Sequence, residues 1–351
     1  MRNRTAILLA GLAILSAVGG CKSPQIDGDR VAFLLSTLQE ERYQKDKKYF
    51  EERAKELGVD VISLAADNDN SRQIAQLEDA LTRGAKVIVV QPTDSAAAAA
   101  YTRIAHREGA KLVAYDRAIY SKDLDYYVSH DSYEVGVLQA KAAIEATGGK
   151  GSYVVLSGQA GHSVASEITR GYKDTLRPYL DRGDIRIVAE QNHSAWSPEQ
   201  ALRTVEDAIS RNGHNDAILA NNSGMARGAV QAVAEAGFDD VFIAGADADA
   251  ANVNFVCEGK QSVEVLKDIA PLAQTAAEIA AALAKGEEIP VSTTIDLGGG
   301  EVPVAAVRVA LVTPDTVKSL IVDSGFLSAD ELPGCAAQLA QAPTNPDPMD
   351  K

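Results

Sequence analysis

Aromatic residues, cysteine and basic residues are all scarce in this sequence. Phe, Trp and Tyr make up 5% of the 351 residues, with one Trp, and the three cysteines include no CxxC pair. So few cysteines do not build a zinc cage by themselves, and we expect no metal site and no cofactor. Lys and Arg number 34 against 49 Asp and Glu, a net charge of −15. Because so acidic a surface repels phosphate backbones, we expect no nucleic-acid partner.

Long apolar runs are absent after the first twenty residues. In residues 1–20, Arg2 and Arg4 precede the apolar run 6–18, which predicts a secretory signal too short to span a bilayer. The junction Val18-Gly19-Gly20-Cys21 resembles the bacterial lipobox, in which the cysteine is lipidated. We therefore expect lipidation of Cys21 and a membrane anchor there, followed by a polar tether over residues 21–28. A cleaved signal with an incidental cysteine is the alternative.

Export also bears on the other two cysteines, Cys257 and Cys335. An oxidising compartment makes a disulfide between them plausible, and we favour that reading. Two buried free thiols remain the alternative, because sequence separation alone does not decide between them. At the other end of the chain, residues 336–351 are rich in proline near their close and are predicted to form a loose tail.

Short apolar runs alternate with helical patterns from residue 30 onward. Strands are predicted at 30–35, 59–64, 86–90 and 111–115, and helices at 40–57, 71–83 and 95–108, each of the helices ending near a glycine. The pattern restarts with strands at 153–156, 185–189, 217–220 and 241–244. Two such series predict an α/β fold of two doubly wound parallel-sheet lobes with a crevice between them.

Polar residues follow these strands at the positions where such a crevice binds ligands. They include Ser36, Thr37, Gln91, Asp116, Arg117, His130, Asp131, Asn222 and Asp247. Carboxylates, amides and guanidinium groups that converge on one crevice can share the hydroxyl groups of a polyol. The only Trp, Trp196, lies in a polar loop and could stack on a sugar ring. The alternative is that these polar residues only cap helices and turn the chain.

Several short sequence strings are more specific than the alternation of strands and helices. In chain order they include Arg42-Tyr43-Gln44-Lys45-Asp46, Gln91-Pro92-Thr93-Asp94-Ser95, Ala114-Tyr115-Asp116-Arg117 and Gly245-Ala246-Asp247-Ala248-Asp249. Together they resemble the periplasmic sugar-binding proteins of bacterial ABC importers, of type I fold, in particular the xylose-binding and ribose-binding members. The resemblance covers residues 30–332. It implies two lobes joined by three crossing segments that form a hinge, with a first lobe of 29–130 plus 266–308 and a second of 131–265 plus 309–335.

The resemblance also implies which residues hold the ligand. Asp116 and Arg117 match the hydroxyl-binding pair of the first lobe, Tyr43 and Trp196 match aromatic positions on either side of the sugar, and Lys267 lies at the second crossing. The full set implied is Glu40, Arg42, Tyr43, Gln91, Asp116, Arg117, Asp131, His162, Ser166, Trp196, Asn222, Asp247 and Lys267.

Three departures from the family pattern leave the sugar's identity open. Ser223 follows Asn222 where the family usually has Asp, Ser166 stands where ribose-binding members have Arg, and Glu40 replaces an Asn. The expected function is that of an exported, lipid-anchored and monomeric solute-binding protein. It would capture a monosaccharide, such as a xylose-like pentose, in a closing cleft and deliver it to an ABC permease in the membrane.

Other functions fit the sequence less well. Asp247 and Asp249 could in principle serve as a pair of glycosidase carboxylates, but no GxSxG, HExxH or GxxxxGK[ST] string occurs. The glycine run 297–300 is predicted to be a turn, and His193 and His214 are predicted to be solvated. A sugar-responsive regulator would carry a helix-turn-helix where the signal lies. A sensor subunit for chemotaxis or for a sensor kinase stays open as an alternative to import.

Overall fold

The computed structural model describes residues 29–291 and 293–340. The predicted signal, the tether, Cys21 and residues 341–351 of the predicted tail lie outside the described residues. In chain order the strands are β1 (Arg30–Leu35), β2 (Asp60–Ala65), β3 (Val87–Val90), β4 (Lys111–Tyr115), β5 (Tyr126–His130), β6 (Gly151–Ser157), β7 (Ile185–Asn192), β8 (Ala217–Ala220), β9 (Phe242–Ala246), β10 (Val263–Lys267), β11 (Thr294–Asp296), β12 (Glu301–Val307) and β13 (Val309–Val312).

The helices cover both faces of the sheets. They are α1 (Glu41–Glu56), α2 (Asn70–Thr82), α3 (Ala99–Arg107), α4 (Ser132–Thr147), α5 (Ser163–Asp181), α6 (Pro198–Asn212), α7 (Ser223–Glu235), α8 (Ala250–Cys257), α9 (Ile269–Lys285) and α10 (Ala336–Leu339). Short 3₁₀ turns occur at Ser194–Trp196, Ala329–Glu331 and Pro333–Cys335, and a π-helical turn at Lys318–Asp323. Within the described ranges, no helix is long and apolar enough to cross a membrane.

The strands form two separate sheets. The first has seven strands in the order β11-β12-β5-β4-β3-β1-β2, and the second has six in the order β13-β10-β9-β8-β6-β7. All neighbours pair in parallel except the two edge pairs, β11 with β12 and β10 with β13. The predicted fold of two doubly wound α/β lobes is therefore confirmed. The predicted turn at residues 297–300 joins β11 to β12 as a hairpin.

The inner strands are buried on both faces because helices cover both sides of each sheet. Every residue of β3 and of β8 is buried, as continuous runs of aliphatic side chains in parallel sheets usually are. Helix α9 packs on the first sheet through a stripe of alanines at 273, 276, 277 and 280, whose small side chains allow a close approach. These buried aliphatic runs position the strands, and the alanine stripe positions α9 against them.

The chain passes between the lobes three times. It leaves the first sheet after β5 at Asp131, returns after β10 at Asp268, and leaves again after β12 at Arg308. We call the first sheet with α1, α2, α3 and α9 the first lobe, and the second sheet with the remaining helices the second lobe. Strand β10 pairs along its length with β9 and β13 of the second lobe. The second change of lobe therefore falls at Asp268.

A disulfide joins Cys257, at the end of α8, to Cys335, with their Cα atoms 5.0 Å apart. It lies in an apolar cluster with Val253, Leu320 and Leu332. Residues 336–339, predicted to belong to a loose tail, instead form α10 beside this disulfide. The amide of Gln338 donates to the carbonyl of Cys257 at 3.1 Å, which holds α10 against α8.

Candidate functional site

A cavity lies between the lobes, where the carboxyl ends of the strands face each other. Its inner part, of about 10 Å³, is lined by Glu40, Arg42, Tyr43, Asp116, Val164, Trp196, Asp247 and Lys267. An adjoining outer part of about 330 Å³ shares Glu40, Arg42, Trp196 and Asp247, and adds Thr37, Gln39, Asn68, Ala195, Pro198, Asn222, Gly224, Arg227 and Asp249. Eight of the predicted site residues are thus brought together around one crevice (Glu40, Arg42, Tyr43, Asp116, Trp196, Asn222, Asp247 and Lys267).

Arg42 joins the two lobes across this cavity. It lies in the first turn of α1, and its guanidinium contacts Asp116 of the first lobe at 3.3 Å and Asp247 of the second at 3.2 Å. A third carboxylate, Asp46, lies 3.5 Å from its Nε one turn along the helix. All four side chains are almost fully buried. Arg42 therefore carries the main electrostatic link between the walls of the site.

Asp116 is held in a strained backbone conformation directly after β4. Its φ is 59°, in the left-handed region, and its carbonyl accepts hydrogen bonds from Tyr127 Oη and Ser129 Oγ, both at 2.9 Å. Gln91 donates to its carboxylate at 3.1 Å, and Gln91 itself is fixed by Ser36 Oγ at 2.7 Å. Two strand ends of the first sheet thus fix the direction of one carboxylate.

The pKa values of two carboxyl groups in the cavity move in opposite directions. Burial alone would raise the pKa of Asp116, but the positive charges of Arg42, Lys267 and Arg117 outweigh it and hold that pKa well below its usual range. Burial raises the pKa of Glu40 to about 7, because Arg117 and Arg42 compensate only in part. Asp116 is therefore a permanent acceptor, whereas Glu40 can accept or donate near neutral pH.

Tyr43 lies between two guanidinium groups. The centre of the Arg42 guanidinium is 5.1 Å from its ring centroid, and that of Arg117 is 5.8 Å away. Arg117 donates to Tyr43 Oη at 3.2 Å and to the carbonyl of Pro92, also at 3.2 Å. The ring of Tyr43 lines the cavity, and Arg117 is buried behind it with 1% of its surface exposed.

Trp196 is the aromatic residue that the second lobe contributes. Its six-membered ring lies so close to Gly158 that a Cβ there would come within 2.5 Å of Trp196 Cη2, so only glycine leaves room for the indole. The indole N–H donates to His162 Nδ1 at 2.9 Å. Trp196 is thus fixed at its edge and on part of its face, and it lines both parts of the cavity.

Asp247 and Lys267 complete the second wall. Lys267, the last residue of β10, lies 3.1 Å from Asp247 Oδ1. Asp247 has a φ of 104° and Ala248 a φ of 56°. The neighbouring strand holds this loop, because the N–H of Asp247 donates to the carbonyl of Val265 at 3.0 Å and that of Ala248 to Glu264 Oε2 at 3.1 Å.

Backbone strain is concentrated around the cavity. Of the seven described residues other than glycine that have a positive φ, five line it: Asn68, Asp116, Ala195, Trp196 and Asp247. Such conformations cost energy and persist where the surrounding structure fixes them, often at ligand sites. The fold therefore holds five strained residues around the crevice.

Five predicted site residues lie outside the cavity lining. Asp131 is exposed and caps α4, accepting from the N–H of Glu134 at 2.9 Å, so its carboxylate faces solvent beside the hinge. Ser166 is exposed on α5 and lines a separate surface groove, while Val164 on the same helix faces the cavity. Gln91, Arg117 and His162 are buried behind the residues that line it.

Sequence reasoning missed a second ion pair at the outer part of the cavity. Arg227 on α7 contacts Asp249 at 2.8 Å, and both line that part. Arg227 follows Asn222, the N-cap of α7, by five residues, so a helical projection from Asn222 could have found it.

One histidine lies in a different environment from the one predicted. His193, predicted to be solvated, is fully buried instead, with hydrogen bonds to the carbonyl of Ser157 and to Thr204.

The lining combines carboxylates, cations and aromatic rings in a small, largely enclosed space. Arg42 and Lys267 balance Asp116 and Asp247, so the inner cavity has little net charge to attract an ionic ligand. Hydroxyl groups both donate and accept, so they can use carboxylates and guanidinium groups together. Such a site fits a neutral, compact polyhydroxyl compound, with ring faces on Tyr43 or Trp196.

Comparison with known proteins agrees with this geometry. Residues 31–288 match the periplasmic binding protein domain family. The D-xylose-binding periplasmic protein of Escherichia coli (strain K12) is 35% identical over 305 residues, which cover 86% of this chain and 92% of that protein. The ribose import binding protein of Haemophilus influenzae is 27% identical over 293 residues, which cover 84% and 96%.

A solved structure has the same fold at similar size. It is an ABC transporter solute-binding protein from Clostridium phytofermentans with bound β-D-glucose, 28% identical, with a TM-score of 0.80 and coverage of 86% of this chain and 99% of that one. The chain therefore belongs to the periplasmic binding protein family. Within it, the chain is one of the type I sugar-binding proteins of ABC importers, and it is a binding protein and not an enzyme.

Proposed function

We propose that this protein captures a neutral monosaccharide, a xylose-like pentose or a close relative, in the cavity between its lobes. The observation that carries this proposal is the ring of Arg42, Asp116, Asp247 and Lys267, which offers buried donors and acceptors in balanced charge. The similarity to a D-xylose-binding protein supports a pentose. Glu40, Tyr43, Trp196 and Asn222 complete the proposed contacts.

Capture is reversible in this proposal. The lobes open about the crossings at Asp131, Asp268 and Arg308, and sugar hydroxyls then take over part of the hydrogen bonding that Arg42 makes with the two carboxylates. A ligand stabilises the closed form only by the difference between its affinities for the closed and open forms. The closed form, anchored to the membrane through lipidated Cys21 and acting as a monomer, would then deliver the sugar to an ABC permease.

A thermal-shift screen tests the ligand class. The chain from residue 22 onward is heated with D-xylose, D-ribose, D-glucose and myo-inositol, and with L-leucine and uridine as non-sugar controls. A ligand that binds only the folded state raises the melting temperature with its concentration. We expect D-xylose to give the largest shift. A shift only with leucine or uridine would contradict a sugar ligand, and a larger shift with glucose or inositol would contradict the pentose alone.

The membrane anchor needs its own test. When the full chain is expressed with its first 20 residues, we expect it in the membrane fraction with a mass increased by lipid. The Cys21→Ser variant should lose that added mass. Equal mass for both chains would contradict lipidation and leave the sugar-binding proposal untouched.

A further inference from the structure

The start of α5 makes a dense set of contacts across the cleft. The carbonyl of Gly161 accepts from the N–H of Ser95 at 3.1 Å. Ser163 accepts from the N–H of Ala118 at 2.7 Å through its hydroxyl, and its own N–H donates to Ser95 Oγ at 3.2 Å. Residues 161–163 belong to the second lobe, and their partners belong to the first. None of these bonds involves a residue that lines the inner cavity.

His162 lies at the centre of this contact and connects it to Trp196. The indole N–H can act only as a hydrogen-bond donor, so His162 Nδ1 accepts from it at 2.9 Å. The proton of the neutral imidazole is then on Nε2, which donates to the carbonyl of Thr93 in the first lobe at 2.9 Å. One ring thus holds the aromatic residue of one lobe and the backbone of the other.

The surroundings keep this imidazole neutral. Burial, and next the positive charge of Arg117, lower the pKa of His162 to about 3, although the hydrogen bond to Thr93 and the charge of Asp116 act in the opposite direction. Arg117 Nη1 lies 3.4 Å from Nε2. A second proton, on Nδ1, would place two N–H donors against each other and break the hydrogen bond with the indole of Trp196. Throughout the neutral range, therefore, only one tautomer satisfies both partners.

We propose that His162 is a positioning residue that couples the orientation of Trp196 to the closure of the lobes. The hydrogen bond to Thr93 exists only when the lobes are together, and the same ring fixes the indole that lines the cavity. Closure therefore presents Trp196 in its binding orientation before any ligand contact is made. The effect on sugar affinity rests on the proposed function, whereas the effect on closure and on Trp196 does not.

Two amide substitutions separate the halves of this role. The side-chain oxygen of His162→Asn can replace Nδ1 and keep the bond to Trp196, but this side chain is too short to reach Thr93. The longer His162→Gln can replace Nε2 and keep the bond to Thr93, but it leaves the indole N–H unpaired. His162→Ala removes both bonds. His214→Asn is the control, because the His214 ring bonds Asp240 within the second lobe and makes no contact with Trp196.

Trp196 is the only Trp of the chain, so intrinsic fluorescence reports on this site without a label. Trp196 is 7% exposed in this structure, so we expect acrylamide quenching, measured without added sugar, to increase in His162→Asn and His162→Ala. We expect the emission maximum to shift in His162→Gln and His162→Ala. D-Xylose affinity, measured by calorimetry, should fall roughly tenfold in His162→Ala, the loss typical of buried hydrogen bonds. His214→Asn should match the wild type in all three.

The outcomes separate this proposal from the sugar proposal. Unchanged quenching and emission in His162→Ala would overturn the coupling, whatever the protein binds. Equal changes in His214→Asn would also overturn it, because they would show a general loss of packing. If D-xylose does not bind the wild type while quenching and emission change as expected, the coupling stands and the pentose assignment fails.

Discussion

Asp116 combines a strained backbone with a carboxylate that stays ionised, and both properties suit the proposed sugar site. We predict that Asp116→Ala lowers sugar affinity by at least about 2 kcal/mol, because it removes an acceptor and leaves Arg42 with one partner fewer in a buried site. Asp116→Asn keeps the shape and should cost less. Isothermal titration with the best ligand of the screen measures both, and normal affinity in Asp116→Ala would contradict the assigned cavity.

The pH dependence of Asp116 has a definite sign. Because its pKa in the folded protein lies below the usual range, its contribution to stability is present above the unfolded value of 3.8 and is lost only as the pH falls through the lower folded value. This carboxylate therefore does not limit binding in mildly acidic surroundings. A loss of affinity between pH 6 and 8 points instead to Glu40, whose pKa burial raises to about 7, or to Asp46 beside Arg42, whose pKa burial raises to about 6.

Gly158 controls the position of Trp196 from behind. We predict that Gly158→Ala displaces the indole, because the added Cβ would come within 2.5 Å of its ring. The change should weaken sugar binding by an amount similar to Trp196→Ala, on the order of 2 kcal/mol for a buried aromatic contact. Calorimetry measures the affinities, and circular dichroism checks that the fold is kept. Wild-type affinity in a folded Gly158→Ala would mean that the ring does not hold the ligand.

At the scale of elements, β10 is the most informative strand. It carries Lys267 toward the cavity and Glu264 toward the interior, where Glu264 accepts from Ser223 Oγ at 2.9 Å, from Gln261 Nε2 at 2.6 Å and from the N–H of Ala248 at 3.1 Å. No basic side chain pairs with Glu264 in the described part of the chain. Burial raises its pKa to about 8, and the nearby charge of Asp249 adds to this.

A pH titration of stability tests this buried acid. Since the folded pKa of Glu264 is raised above the unfolded 4.5, its contribution to stability is fully present below pH 4.5 and is lost as the pH rises through about 8. Relative to Glu264→Gln, which cannot ionise, the wild type should lose a few kcal/mol of unfolding free energy over that range, at about 1.4 kcal/mol per pKa unit. Urea unfolding at a series of pH values measures the difference.

The control for this titration is Glu52→Gln, which removes the same charge from an exposed position. It should follow the wild-type slope. Parallel curves for the wild type and Glu264→Gln would show that Glu264 is ionised in the folded protein throughout, against the expected effect of its burial.

The elements themselves were largely predictable, and the reasons are visible in particular cases. The strand at 87–90 is Val-Ile-Val-Val, and a parallel sheet covered on both faces tolerates little else. Helix α3 begins at Ala99 and not at 95 as predicted, because Asp94 accepts from the N–H groups of Ala96 and Ala97 and turns the chain first. Local side-chain capping of this kind shifts boundaries without changing the fold.

The site was predictable in part. Residues whose position depends on their own strand could be predicted, and residues whose position depends on a contact distant in sequence could not. Asp116 and Asp247 directly follow strands, so the general rule for parallel sheets locates them. Asp131 also follows a strand but faces solvent, because its carboxylate caps the next helix. The position of His162 depends on Thr93 in the other lobe, and no local pattern reports a contact between two lobes.

At the scale of the whole molecule, the disulfide Cys257–Cys335 closes a loop with a sequence separation of 78 residues. We predict that the double substitution Cys257→Ala/Cys335→Ala lowers the free energy of unfolding by about 2–4 kcal/mol, chiefly because the unfolded chain gains freedom. Urea unfolding of the oxidised wild type and the variant measures the loss. Sugar affinity should stay unchanged, since neither cysteine lines the cavity.

The three crossings also determine when each lobe can form as the chain emerges from its N-terminus. Strand β12 pairs with β5, with Val304 beside Tyr127, so the first sheet has to wait for a strand made after almost all of the second lobe. The second sheet likewise has to wait for β13. Contacts so distant in sequence form slowly, because a long loop must close before they contribute. A chain that emerges from its N-terminus therefore completes both lobes together, only once residues beyond 307 have emerged, and before that stage it presents incomplete sheets to chaperones and proteases.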